Sequence, residues 1–499
     1  MVIYPQRFWK EYDMRKVMIG ILLALTLVLV AAAGAEKSYL IPVMKDWILK
    51  KAADTKELGD IFFRPDFDDS AWERADIEDE PPYTDRFIFY RRWVDVPAAW
   101  KGKKVKIVFG GVDDDAVVYI NSQKAGEHKG WDEEFEFDIT SMVKCGDKNL
   151  VAVLCDNSGG DRAGIYSSVS IILVEEYAKA KAAREAKLRS DLKRLETGTR
   201  IVYESYRDNN WELCMVNADG SNSVNLTRTA NMNELYPHVS PDGTKVCFVS
   251  DEGEGESKIR DVYYINIDGT GRVKVAENAR EPCWNADGTA IAYMKGEFDK
   301  FSYLDYASKG LFFYDLKTRK STPHPNDRLY HLYNICWSPD GNWFVATVHG
   351  GMGYDHAIIA FEARGTKVFN LGIPGCRPDI SPDGKKIAWG SGDWSLSIGD
   401  LNLTLPEPSV TNRRDVVKSA SPMKIYHIDW SPDGKFVTFS RGVNKEILGF
   451  APEMVGIKAE GWNICAADAT GESDWIALTS DGNSNKEPDW ARVKVRKRK

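Results

Sequence analysis

One short phrase returns five times in the second half of this chain. It reads SPDGTKVCF from Ser240, NADGTAIAY from Asn285, SPDGNWFVA from Ser338, SPDGKKIAW from Ser381 and SPDGKFVTF from Ser431. The Asp residues of these phrases fall at 242, 287, 340, 383 and 433, so the intervals are 45, 53, 43 and 50 residues. Self-similarity at such a period belongs to solenoids and propellers. The phrase itself spells a hairpin: Pro presets φ at the first turn position, Asp tolerates the second, and Gly supplies the positive φ that re-enters a strand.

The strand after each turn sorts its faces by size. Val246, Ile291, Phe344, Ile387 and Val437 share one face with Phe248, Tyr293, Ala346, Trp389 and Phe439. Cys247, Ala292, Val345, Ala388 and Thr438 lie between them on the opposite face, because strand residues alternate. A mostly bulky face and a smaller one suit radial blades packed around an axis, which protects sheet edges. EPDW (Glu487–Trp490) repeats the inner-strand pattern of EPCW (Glu281–Trp284) but has no hairpin after it. It is expected to complete a first blade begun by IVYES (Ile201–Ser205), which gives six blades.

These repeats resemble TolB-type propellers, built from units called PD40 or WD40-like. VNADGSNSVNLT from Val216 and INIDGTGRVKV from Ile265 resemble that family's outer-strand phrase, and AADATGESDWIALT from Ala466 is a weaker copy. The resemblance covers residues 199–492 and implies a fold, not an activity.

The preceding region differs in texture. FYRRWVDVPAAWKGKKVKIVFGGVDDDAVVYIN from Phe89, GEHKGWDEEFEFDIT from Gly126 and CGDKNLVAVLCDNS from Cys145 alternate apolar and polar residues between regular turns, the pattern of an antiparallel β-sandwich. The order of phrases is similar to the sugar-binding jelly roll, of galactose-binding-like type, at the front of family 2 glycoside hydrolases and of sialate esterases. Asn121-Ser122 stands where that family usually has Asn-Gly. The expected class is thus all-β: residues 36–175 a β-sandwich, 176–198 a helical linker, 199–492 a six-bladed β-propeller, and 493–499 a basic tail. In the linker Leu188, Leu192 and Leu195 recur at helical spacing.

Residues 1–35 read as an export signal. Arg15 and Lys16 precede the apolar run MIGILLALTLVLVAAAGA, and Ala33-Gly34-Ala35 fits a peptidase site before Glu36. The expected location is periplasmic or secreted, with no membrane span after cleavage. An uncleaved anchor is the alternative. A net charge of −8 excludes a general nucleic-acid binder. Five of the eight Cys sit in repeat strands, where a buried thiol acts as a small hydrophobe, while Cys145 and Cys155 flank one strand and are candidates for a pair.

No G-x-S-x-G elbow is present, no glycosidase carboxylate pair stands out, and no cofactor or metal site is assigned. Asp113, Asp114 and Asp115 read as a turn or a solvated face. The reading is a non-catalytic binding protein for carbohydrate or an envelope protein. The competing reading is a metal-dependent propeller lyase acting on acidic oligosaccharides, similar to oligogalacturonate lyases. His324, His331, His349 and His356 would be its metal ligands, with His324 and His356 in loops.

The candidate binding residues come from one repeat position. Four residues before each Ser, or its equivalent, stand Tyr236, Glu281, Asn334, Arg377, His427 and Glu487. Inner strands start near the axis, so these six are expected at one mouth of the channel, where Arg377 and Tyr236 would dock a partner. His238, Cys283, Cys336, Asp379, Asp429 and Asp489 follow two positions later, and their carboxylates are expected to bind neighbouring blades.

Overall fold

The computed structural model describes residues 39–492, apart from residue 57 and residues 78–82, 132–133, 161–162, 196–197, 254, 420–421 and 471–473. The export signal and the basic tail therefore lie outside the described residues. Among those described, no helix is long and apolar enough to cross a membrane. The chain divides into two compact units between Lys179 and Ala180, within the single long helix Val174–Lys193.

The first unit is a sandwich. One sheet pairs Leu40–Pro42, Val169–Leu173, Val105–Phe109 and Phe135–Asp138 in that order. The other runs Glu73–Ala75, Trp47–Ala52, Phe87–Val96, Asp147–Asp156, Asp115–Ile120 and Gln123–His128. Alternation sets the core: Val105, Ile107 and Phe109 from one sheet meet Val94, Val118, Ile120 and Val153 from the other. Asn121 and Ser122 turn their hairpin with φ of +50° and +73°, the two positive values a type I′ turn needs. Ser122 thus adopts a backbone usually left to Gly. The Asn121 amide helps to fix the turn by donating to the Met142 carbonyl at 2.9 Å and to Asn149 Oδ1 at 2.7 Å.

The second unit is a propeller of six four-stranded antiparallel sheets. From the axis outward, blade one is Ser484–Arg492, Thr199–Arg207, Asn210–Asn217 and Val224–Asn225. The innermost strands of blades two to six are Asn233–Val239, Ala279–Trp284, Leu332–Trp337, Cys376–Ile380 and Met423–Trp430. Closure is as the repeats predict: the EPDW strand pairs with the IVYES strand, Ile201 opposite Trp490.

The repeated phrase forms the same turn each time. Ser240 Oγ accepts from the Lys245 amide at 2.9 Å and donates to Asp242 at 2.7 Å, while Gly243 takes φ +69°. Ser338, Ser381 and Ser431 repeat these bonds. The size-sorted faces also pack as expected. Val246 and Phe248 meet blade one, whereas Cys247 packs with Trp284, Ile291 and Tyr293 of blade three. Leu188 and Leu192 of the helix bury against Ile201, Tyr203 and Trp490. All eight Cys are free, so Cys145 and Cys155 form no pair.

Candidate functional site

Each inner strand breaks register with its neighbour at one place, and the six candidate residues sit at the breaks. The slips lie between Leu235 and His238, Arg280 and Cys283, Tyr333 and Cys336, Cys376 and Asp379, and Tyr426 and Asp429, with the equivalent slip opposite Val202 and Glu204 in blade one. A β-bulge re-aims a side chain. Here Tyr236, Glu281, Asn334, Arg377, His427 and Glu487 all take left-handed backbone, with φ of 52°, 52°, 47°, 56°, 57° and 51°. In blades one, two, three and five the next residue is Pro488, Pro237, Pro282 or Pro378, tolerated because a bulge needs no ladder amide there.

The bulges gather these six side chains around the axis, but not as an open rim. All except Asn334 are buried. Asn334 Nδ2 donates to the Tyr236 hydroxyl at 3.0 Å, and the Asn334 amide donates to Glu281 at 2.5 Å. Arg377 spends its fork inside the protein, on Asp305 at 2.8 Å and Glu487 at 3.4 Å. Tyr333 and Tyr426 flank its guanidinium, each ring centroid at 5.6 Å. His427 Nε2 donates to the Glu453 carbonyl at 2.8 Å and lies 3.0 Å from Glu487. The expected mouth is thus a buried polar plug, and Arg377 and Tyr236 are not free to dock a partner as the sequence suggested. The cause is twofold: the bulge points the side chains across the axis, and Asp305 and Glu453 reach in from connections outside the repeat.

Burial governs the charges of this plug. It pushes the Glu281 carboxyl up to about 7, helped by the neighbouring Asp305 carboxylate. The same burial, with Arg377 and Lys486 close by, holds His427 well below the ordinary imidazole value, so its ring is neutral. Glu204 Oε1, Asp305 Oδ1, Asn334 Oδ1 and His427 Nδ1 have no hydrogen-bond partner among the described residues.

The second set of residues ties the blades together. Asp489 accepts from the Val239 amide at 2.9 Å, Asp429 from the Trp490 amide at 2.6 Å and Asp379 from the Trp430 amide at 3.1 Å. Each bond runs from one blade to the next. Asp379 and Asp429 also hydrogen-bond each other, and burial raises both carboxyls.

A pocket of about 480 Å³ opens on the other side of the plug, above blades three to six. Tyr306, Tyr333, Tyr426 and His349 wall it, Gly375, Gly390 and Gly392 lie along it, and Arg377 and Asp305 form its inner end. The sequence singled out Arg377, His349 and His356, which also lines the pocket, but missed the others. Asp305 and Glu453 belong to long connections between blade strands, and the only sequence signal for the first is the 53-residue interval across blade three.

The four His of the lyase alternative do not converge. His324 bonds the Glu362 carbonyl at 3.0 Å, and His331 bonds Glu297 at 3.0 Å. His356 lies in the strand Tyr354–Glu362 rather than in a loop, and pairs with His349. Among the described residues no group of three or more His, Cys, Asp or Glu is placed to hold a metal ion.

Comparison with known proteins fits both halves. Residues 73–171 match the family described as glycosyl hydrolases family 2, sugar binding domain. A beta-galactosidase of Thermoanaerobacter pseudethanolicus is 49% identical over 74 residues, which cover 14% of this chain and 10% of that protein. A protein TolB homolog of Chlorobaculum tepidum is 34% identical over 115 residues, covering 22% of this chain and 25% of its own length. The chain thus spans at most a quarter of these two curated relatives. The crystal structure of TolB from Acinetobacter baumannii superposes with a TM-score of 0.44 at 18% identity, over 68% of this chain and 79% of that one. The chain combines a family 2-type sugar-binding sandwich with a TolB-like β-propeller.

Proposed function

We propose that this is an exported, non-catalytic recognition protein, with the sandwich binding carbohydrate and the propeller offering a second docking site for a glycan or an envelope protein. The match of residues 73–171 to a sugar-binding domain carries the proposal. Two features of the propeller support it. Its charged residues near the axis are committed to one another, as structural networks are, and its pocket has the concave, aromatic-lined form of a binding site. The run from Arg15 to Ala35 supports export.

A glycan array probed with the full chain tests this reading. Saccharide binding without any change in the bound glycans is the expected result. Cleavage or elimination products appearing from neutral or uronic-acid glycans would replace the binding role with an enzymatic one.

A further inference from the structure

The pocket above blades three to six has a chemistry that narrows its ligand. Both of its cations are already committed, each to two carboxylates. Arg377 is held by Asp305 and Glu487, and Lys424 Nζ lies 3.2 Å from Asp393 and 3.1 Å from Glu453. The faces of Tyr333 and Tyr426 are taken by Arg377, so the rings form no open cage for a cation. An anionic ligand would have to displace a carboxylate from one of these cations and would meet the repulsion of the four carboxylates.

What remains uncommitted is hydrogen-bonding capacity. The His356 Nε2 nitrogen lies 3.1 Å from the Gly375 carbonyl, which only accepts, so Nε2 carries the proton. Burial lowers the His356 basicity, with His349 adding to the effect, so its Nδ1 is bare. That nitrogen sits 3.2 Å from His349 Nδ1, which must therefore be the donor. This bond leaves His349 Nε2 outside it, on an exposed ring. Asp305 Oδ1, on a residue only 5% exposed, is an acceptor without a hydrogen-bond partner among the described residues, at the inner end.

The walls complete the picture. The Tyr306 ring packs 4.6 Å from the His349 ring and belongs to the same wall. Gly390 and Gly392 contribute no side chain, and a Cβ built on either meets nothing closer than 3.6 Å. The absence of side chains there keeps the pocket open. Aromatic surface, an unfilled acceptor and cations already held by carboxylates together suit a ligand that presents C–H faces and hydroxyl donors without net charge.

We infer that this pocket binds a neutral saccharide segment, seated against Tyr306, with one hydroxyl at His349 Nε2 and another directed toward the Asp305 carboxylate at the inner end. The inference rests on the recognition reading and adds a glycan site separate from the sandwich.

The test uses the full chain and titration calorimetry with cellotetraose, chitotetraose, maltotetraose and mannotetraose, with tetragalacturonate as the charged comparison. Gly392→Val, whose Cβ would meet nothing closer than 3.6 Å, narrows the pocket, and Tyr306→Ala removes a wall. At least one neutral saccharide should bind, each substitution should weaken it at least tenfold, and the melting temperature should stay within a degree or two. Neutral saccharide binding that survives both substitutions would overturn the pocket and leave the sandwich reading standing. Preference for tetragalacturonate would overturn the neutral-ligand inference. Failure of every saccharide to bind, on this panel and on the array, would end both.

Discussion

Ile201, near the start of the propeller, lies in register with Trp490, on the strand that closes it. The last strand is innermost in blade one, so the first and last segments of the propeller share a sheet. Ending the chain after Asn483 would remove that strand and expose the inner edge of Thr199–Arg207. Thermal unfolding of the truncated protein should then lose cooperativity or shift down by about 10 °C or more. A truncated chain that melts like the intact one would refute closure by this strand.

Arg377 is predicted to be a stability determinant. Replacing it with Ala leaves Asp305 and Glu487 buried with no cation between them. Loss of one partner of a buried pair typically costs about 3–5 kcal/mol. Urea unfolding of Arg377→Ala should show a loss in that range, and Arg377→Ala/Asp305→Asn should recover part of it. An Arg377→Ala protein within 1 kcal/mol of the parent by the same measurement would mean that the plug is not needed for the fold, in conflict with this arrangement.

The plug also predicts a pH dependence. Glu281 titrates near 7 in the folded protein because burial, and then Asp305, disfavour its charge, against about 4.3 when exposed. Between those values the folded state binds the extra proton, so this group's contribution to stability falls as pH rises from about 4.3 to 7. Glu281→Gln keeps an acceptor for the Asn334 amide and removes the titration. The variant should match the parent at pH 4 and exceed it at pH 8 in denaturant midpoint. Equal midpoints for the two proteins at pH 8 would show that Glu281 does not carry this burden.

How much of this could be read beforehand depended on periodicity. The Ser240, Ser338, Ser381 and Ser431 phrases exposed the blades, because a turn that needs Gly at one position and Ser at another leaves an invariant trace. The alignment of Tyr236, Glu281, Asn334, Arg377, His427 and Glu487 likewise followed from equivalence between repeats. What equivalence could not reveal was direction. A bulge is a slip of pairing, visible only as Pro after four of the six residues, and it turned an expected rim into a buried cluster. Asp305, Tyr306 and Glu453 stayed hidden because non-repeating connections have no partner phrase to be compared with.

Export supplies a further expectation. Cleavage after Ala35 would give a mature protein beginning at Glu36. N-terminal sequencing of the protein recovered from the cell envelope should read Glu-Lys-Ser-Tyr. A sequence beginning at Met1 or Met14 would instead favour a retained anchor.

The six bulges repeat one backbone conformation around the axis, yet the side chains they carry are Tyr, Glu, Asn, Arg, His and Glu. Turning the propeller by one blade would restore the main chain and scramble the chemistry. The frame is rotationally pseudo-symmetric and the lining is not. The buried cluster therefore has one fixed azimuth within the frame instead of six equivalent ones. Each ion pair can form in one rotational setting only, a consequence of letting repeated units diverge at one position while the fold holds them alike elsewhere.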